Sequence, residues 1–251
     1  MITTIINLKG GVGKTTTAVN LADGLARRDN KTLLIDLDSQ SNASVSLGFD
    51  KENLPSGVAE MLFEDLPARK AIQSAGRENF DIIVGSKQLA NADVMLSDQI
   101  GREAILKKRL KFVVGNYDNI IIDTPPSLGL LPVNALVATD NYLIPVSPTH
   151  LAVQGIERIL DAVQQVKEGM EIDVPLFGLL LTMCDMRSKA TKEAISQVRD
   201  TYAGKVFESE IRVNTRLNEA QGEGETIYEY APNSTGAKYY EAFVEEYIGR
   251  I

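Results

Sequence analysis

The sequence predicts a doubly wound α/β fold, a mostly parallel central sheet flanked by helices. Three observations lead there: short runs nearly continuous in Ile, Leu and Val recur along the chain, stretches of helical periodicity fall between them, and no repeat, low-complexity tract or Pro/Ser-rich linker breaks the alternation. The strand candidates are Ile2 to Leu8, Thr32 to Leu37, Phe80 to Val84, Asn119 to Asp123, Asn141 to Val146 and Pro175 to Thr182. Their continuity, rather than alternation, is what parallel strands covered on both faces require. Helical patterns run over Thr15 to Arg28, Arg102 to Val114, Val153 to Lys167, Lys189 to Tyr202 and Gly236 to Ile248.

A chain of 251 residues can bury one sizeable core, and a single domain over residues 1–251 is the expected organisation. Hydrophobic residues at 44% and charged residues at 24% exclude a disordered or fibrous class. The single cysteine, Cys184, excludes an internal disulfide and a multi-thiolate metal site; it reads as a small buried hydrophobe in a reducing, cytoplasmic setting. The N-terminus, MITTIINLKGG, lacks the basic and long apolar regions of a leader, and no apolar run reaches the roughly 18 residues of a spanning helix. A net charge of −8 opposes nucleic-acid binding unless the charge is unevenly distributed.

In a doubly wound sheet, ligands bind at the carboxyl ends of the strands, so the residues after each apolar run carry the chemistry. After the first run stands Lys9-Gly10-Gly11-Val12-Gly13-Lys14-Thr15-Thr16, followed by a helical pattern. Glycines let the backbone wrap a phosphate, the helix N-terminus adds its dipole, Lys14 reaches the β/γ-phosphates, and Thr15 offers a hydroxyl to Mg²⁺. The usual first glycine of such a P-loop falls on Leu8, so the Walker A motif is a deviant one. After the second run comes Asp36-Leu37-Asp38-Ser39-Gln40, in which the two carboxylates point to one side of a strand and one of them could orient an attacking water. After the fourth comes Ile120-Ile121-Ile122-Asp123-Thr124-Pro125-Pro126, where Asp123 takes the Walker B role of holding Mg²⁺ through water.

Together these segments resemble the ParA family of DNA-segregation and cargo-positioning ATPases, within the group that includes MinD and the nitrogenase iron protein. The likeness covers nearly the whole chain. It extends to Leu181-Thr182-Met183-Cys184-Asp185-Met186-Arg187, to Asn214-Thr215-Arg216-Leu217-Asn218-Glu219-Ala220 and to the closing Tyr230 to Ala237 stretch. With no helix-turn-helix segment before the P-loop, the likeness is to the small ParA subtype. The resemblance implies Mg²⁺-dependent hydrolysis of ATP to ADP and phosphate and an ATP-dependent sandwich homodimer. It also implies that Lys9 crosses to the facing subunit's nucleotide and that Asp38 positions water. Slow turnover until a ParB-like or adaptor protein engages is a further expectation, as is a cytoplasmic, nucleoid-associated location.

By the same resemblance, Arg187 and Arg216 match arginines that bind DNA without sequence preference. From residue 187 to 216 the chain holds seven basic and four acidic residues, a locally basic stretch in an acidic protein. The family's Pro-Arg before the asparagine is replaced by Arg212 and Val213, which displaces the arginine by one place. His150, the only histidine, reads as structural or near the site's rim, and the aromatic run Tyr228, Tyr230, Tyr239, Tyr240, Phe243 and Tyr247 as C-terminal packing. A MinD-like membrane-associated ATPase is the alternative, but the acidic ending Val244 to Ile251 lacks a basic amphipathic tail. An iron-sulfur ATPase would need more thiolates than Cys184 supplies.

Overall fold

The computed structural model describes residues 1–251. Its centre is an eight-stranded sheet built from β1 (Ile2–Ile5), β2 (Thr32–Asp36), β3 (Ile72–Arg77), β4 (Phe80–Ile83), β5 (Asn119–Asp123), β6 (Asn141–Val146), β7 (Leu176–Cys184) and β8 (Val206–Arg212). The spatial order is β3-β4-β2-β5-β1-β6-β7-β8. Every pairing is parallel except β3 with β4. From β1 the chain winds first toward β2 and β4, then returns through β5 and continues on the other side with β6. The carboxyl end of β1 is therefore the topological switch point where an open α/β sheet forms its binding crevice.

Side chains alternate between two covered faces, which is why the runs read as continuous. In β5, Ile121 packs in one core cluster with Leu21 and Leu25 of the helix Lys14–Ala26 and with Tyr240 and Phe243 of the helix Thr235–Gly249. Its neighbours Ile120 and Ile122 join the opposite cluster with Leu106 and Leu110 of the helix Ile105–Leu110 and Leu131 and Ala135 of the helix Leu130–Ala138. A third cluster joins Ile144, Leu179 and Leu181 to Ile156, Ile159 and Val163 of the helix Ala152–Met170. Each such side chain contributes roughly 1.5–3 kcal/mol by leaving water. The C-terminal aromatics Tyr228, Tyr240, Phe243 and Tyr247 are buried in this packing, as their pattern suggested.

The helix Lys14–Ala26 crosses the C-terminal helix closely because residue 24 is glycine: a Cβ there would stand 2.6 Å from Val244 and 2.8 Å from the Tyr228 hydroxyl. Two strands were not legible from apolar runs. β3 (IQSAGR) is a half-exposed edge strand, and β8 (VFESEIR) alternates because it is the other edge. At β8 the Glu246 carboxylate accepts the amide protons of Glu208 and Ser209, both at 2.8 Å, and Arg250 donates to the same carboxylate at 2.6 Å. The expected long helix from Arg102 to Val114 is instead a helix of Ile105–Leu110 between two single 3₁₀ turns, Arg102–Ala104 and Val114–Asn116. Gly115 and Asn116, both weak helix formers, lie at its end.

Candidate nucleotide site

The first strand delivers the chain into a loop whose entrance is pinned by Asn7. Its side-chain amide donates to the Pro145 carbonyl at 2.7 Å and its carbonyl oxygen accepts the Lys9 amide proton at 2.9 Å. The loop turns through left-handed backbone at Gly11 and Gly13, with φ of 70° and 80°. A β-carbon at Gly13 would be disfavoured there on conformational grounds. Thr182, at the end of β7, donates its hydroxyl proton to the Val12 carbonyl at 2.8 Å and so holds the loop from the other half of the sheet. None of the backbone N–H groups from Gly10 through Thr16 finds an acceptor in the chain. A run of amide donors at the start of a helix is an anion cradle.

Lys14 is buried, forms no ion pair, and donates only to the Lys9 carbonyl, at 3.2 Å. Burial depresses its pKa, against the pull of Asp123 and Asp38, so the ammonium lacks the counter-charge that would fully offset desolvation. Thr15 donates to Oδ2 of Asp123 at 2.7 Å, while Oδ1 of the same fully buried carboxylate has no partner. Burial, together with the nearby Asp36 charge, raises the Asp123 pKa well above the carboxylate range; the Thr15 hydrogen bond and Lys14 act the other way. A hydroxyl beside an unpartnered carboxylate oxygen is a hard-oxygen donor set that suits Mg²⁺.

The two aspartates after β2 divide their work differently from their spacing alone. Asp36 ends the strand and is fully buried, accepting from the Ser44 amide at 2.8 Å, the Ser44 hydroxyl at 2.7 Å and the Asp38 amide at 3.3 Å. Burial raises its pKa to about 6, with Ser44 moderating the shift. Asp38 lies beyond the strand in a loop, its Oδ1 accepting the Gln40 amide proton at 2.9 Å, and it is close enough to Lys14 and Asp123 to influence both. Gly85 lets this loop close: a Cβ would stand 2.9 Å from the Asp38 carbonyl and 3.0 Å from the Asp36 carboxyl carbon. Sequence reasoning missed Asn7, Thr182 and Ser44 as supports, because each acts through a bond to a residue distant in the chain or to a backbone group.

Two hollows flank the loop. One, of 170 Å³, opens beside Gly13 and Thr16 between the carboxyl ends of β7 and β8, against Met183, Val213 and Asn214. The other, of 480 Å³, lies beside Lys9 and Val146 and reaches Gln154 and Arg158. Lys9 is exposed and makes no ion pair of its own. His150 is exposed in the turn after β6 and lines neither hollow.

The structure therefore gathers Lys9, Gly10, Gly11, Val12, Gly13, Lys14, Thr15, Thr16, Asp38 and Asp123 at the carboxyl ends of β1, β2 and β5. Arg187 and Arg216 stand apart, after β7 and β8, and each is occupied. Arg187 pairs with Asp185 at 2.9 Å, and Arg216 pairs with Glu219 at 2.7 Å. Asp185 and Glu219 lie just outside the stretch 187–216, and including them reduces its excess of three positive charges to one.

Residues 1–176 match a family model described as an AAA domain. The chain is 42% identical to the sporulation initiation inhibitor protein Soj of Bacillus subtilis over 95% of this chain and 94% of that protein. It is 38% identical to the chromosome partitioning protein ParA of Myxococcus xanthus, over 98% and 87%. Among solved structures it is similar to cobyrinic acid a,c-diamide synthase of Mycobacterium smegmatis with a bound ATP analogue and magnesium: 31% identity, TM-score 0.83, 97% of this chain and 92% of that one. With a deviant P-loop, the paired aspartate segments and these relatives spanning almost its full length, the chain belongs to the Soj/ParA family of chromosome-partitioning ATPases.

Proposed function

We propose that this protein is a partition-type ATPase that binds Mg²⁺·ATP, closes as a sandwich homodimer on DNA without sequence preference, and hydrolyses ATP to ADP and phosphate to segregate DNA or position a cargo. The observation that carries this reading is the buried, unpaired Lys14 ammonium set among unpartnered amides from Gly10 to Thr16. Such a site is incomplete without a polyanion. The synthase name of the mycobacterial neighbour is not carried over, because the partitioning relatives share more sequence, 42% and 38% against 31%.

In this reading the loop amides and Lys14 hold the phosphates, Thr15 and Asp123 hold the metal, and the hollow between β7 and β8 receives the nucleoside. Magnesium, when bound, would neutralise charge on the phosphate oxygens. Asp38 orients the attacking water. Lys9, exposed at the loop entrance with no partner of its own, reaches the nucleotide of the second subunit and supplies a cation in trans, as an arginine finger does. Arg187 and Arg216 exchange their carboxylate partners for phosphates. A ParB-like or adaptor protein accelerates turnover, and one domain over residues 1–251, in the cytoplasm and on the nucleoid, carries all of this. No helix is long and apolar enough to cross a membrane.

The deciding experiment measures size by light scattering with ATP, with ADP and without nucleotide, followed by duplex binding in each state. Dimerisation and DNA binding confined to the ATP state support the reading; a monomer in all three, or binding indifferent to nucleotide, overturns it.

A further inference from the structure

The arginines expected to meet DNA are each neutralised by a neighbour, whereas a different surface carries cations with no partner. Residues 101–112 hold Arg102, Lys107, Lys108, Arg109 and Lys111 against Glu103 alone, in a chain of net −8. The helix Ile105–Leu110 buries Ile105, Leu106 and Leu110 and turns Lys107 and Lys108 to solvent; Lys111 caps it, exposed. Beside it, Arg69 and Lys70 project from the helix Ala68–Ala71 and are also exposed. Arg102 pairs with Glu103 and Arg109 with Asp65, but Arg69, Lys70, Lys107, Lys108 and Lys111 enter no ion pair. Glu64, next to Asp65 in the chain, is also exposed.

This surface is shaped as well as charged. Arg69, Lys108, Arg109 and Phe112 line a hollow of 280 Å³ together with Asp65 and Pro67, and the Phe112 ring is 82% exposed at its edge. The hollow is built on the segment leading into β3, at the opposite edge of the sheet from β7 and β8, which carry Arg187 and Arg216.

We propose that this cationic hollow, with the exposed Lys107 and Lys111 on the adjoining helix face, is a second duplex-DNA contact, in which Arg69 and Lys108 of the hollow and Lys107 and Lys111 beside it meet backbone phosphates and Phe112 packs against the adjoining sugar edge. The proposal rests on the DNA-binding reading above and adds a separate surface to it. Charge complementarity selects the occupant: unpaired cations on an otherwise acidic chain attract a polyanion by releasing its counterions, and phosphates spaced along DNA meet several at once. One protomer then offers phosphate contacts at both edges of its sheet, so a molecule held at one edge can capture a second DNA segment at the other.

The test uses the full chain with ATP, two duplexes of unrelated sequence, and fluorescence anisotropy across a salt series. Wild type, Arg216→Ala and a triple variant, Lys107→Ala with Lys108→Ala and Lys111→Ala, are compared; Lys107→Gln with Lys111→Gln serves as a milder second variant. All three lysines are exposed, so ATP turnover without DNA and thermal midpoint should stay at wild type. The expected result is a triple-variant affinity lower by about tenfold on both duplexes and a salt slope shallower by up to about 2.7 per engaged protomer, at roughly 0.9 per contact. Wild-type affinity and slope in both lysine variants, while Arg216→Ala weakens binding, would overturn the second surface and leave the first reading intact. Absence of wild-type binding overturns both. If the lysine variants lose binding to polyglutamate or anionic vesicles but not to duplex, the hollow has a different occupant and the proposal falls.

Discussion

Thr15 and Asp123 share a 2.7 Å hydrogen bond that ties the first turn of the P-loop helix to the carboxyl end of β5. It leaves the second Asp123 oxygen buried and free, and Lys14 adjoins the same carboxylate electrostatically. In the proposed reading Lys14, the only buried cation of the chain, meets the triphosphate beside this carboxylate. Lys14→Ala should lower ATP affinity by about 10- to 100-fold, the range of a lost charged hydrogen bond. Titration calorimetry reads it directly, and unchanged binding would remove Lys14 from the site.

Asp38 is tethered to the Gln40 amide and its side chain makes no hydrogen bond to loop residues Gly10 to Thr16. Asp38→Ala should therefore retain ATP, slow turnover by about 100-fold or more, and accumulate the dimer. Light scattering that finds only monomer with ATP, or turnover at the wild-type rate, would contradict this.

The exposed Lys9 side chain makes no hydrogen bond or ion pair within the chain. Lys9→Ala is expected to bind ATP as a monomer and dimerise at least about tenfold more weakly, since facing triphosphates repel without a crossing cation. A variant that dimerises as tightly as wild type would exclude the role in trans.

Arg216 is held by Glu219, which also accepts from the Tyr230 hydroxyl at 3.1 Å. Arg216→Ala should make the salt slope of DNA binding shallower by about 1.8 per dimer, from roughly 0.9 per contact. Glu219→Gln, which releases the guanidinium, should tighten binding on any sequence. Anisotropy on two unrelated duplexes checks both, and a looser complex in the glutamine variant would sink the exchange of partners.

Asp36 gives a pH dependence. Its native pKa, about 6, lies above the unfolded value of about 3.9, so the folded state holds this proton more tightly. The stabilisation is present below pH ~4 and is lost as pH rises to about 6, and Asp123 acts in the same direction. Asp36→Asn should reduce the fall in stability between pH 4.5 and 7 by on the order of 2 kcal/mol. Urea midpoints at the two pH values measure it; an identical fall in the variant would show that the group is not protonated in the folded chain.

The parallel core and the P-loop were legible because their signals are contiguous: Ile120 to Ile122 read as one run, and Gly10 to Thr16 as one motif. What escaped depends on pairing across distance. Thr182 bonds Val12 from 170 residues away, and β3 and β8 are strands only because an edge needs a neighbour on one side. The charge count could not show pairing for a related reason, since Asp185 and Glu219, the partners of Arg187 and Arg216, fall just beyond the basic stretch.

The carboxylate of Glu246, seated on the Glu208 and Ser209 amides, reaches beyond the stability of β8. An open strand edge is a template on which another chain can add its own strand. Here two of the donors that a newcomer would need are already committed to a charged acceptor that Arg250 holds in place. A strand added at this edge would first have to displace the Glu246 carboxylate, and with it part of the hold of the C-terminal helix on β8, so the edge is guarded against strand addition and any self-association has to use other surfaces.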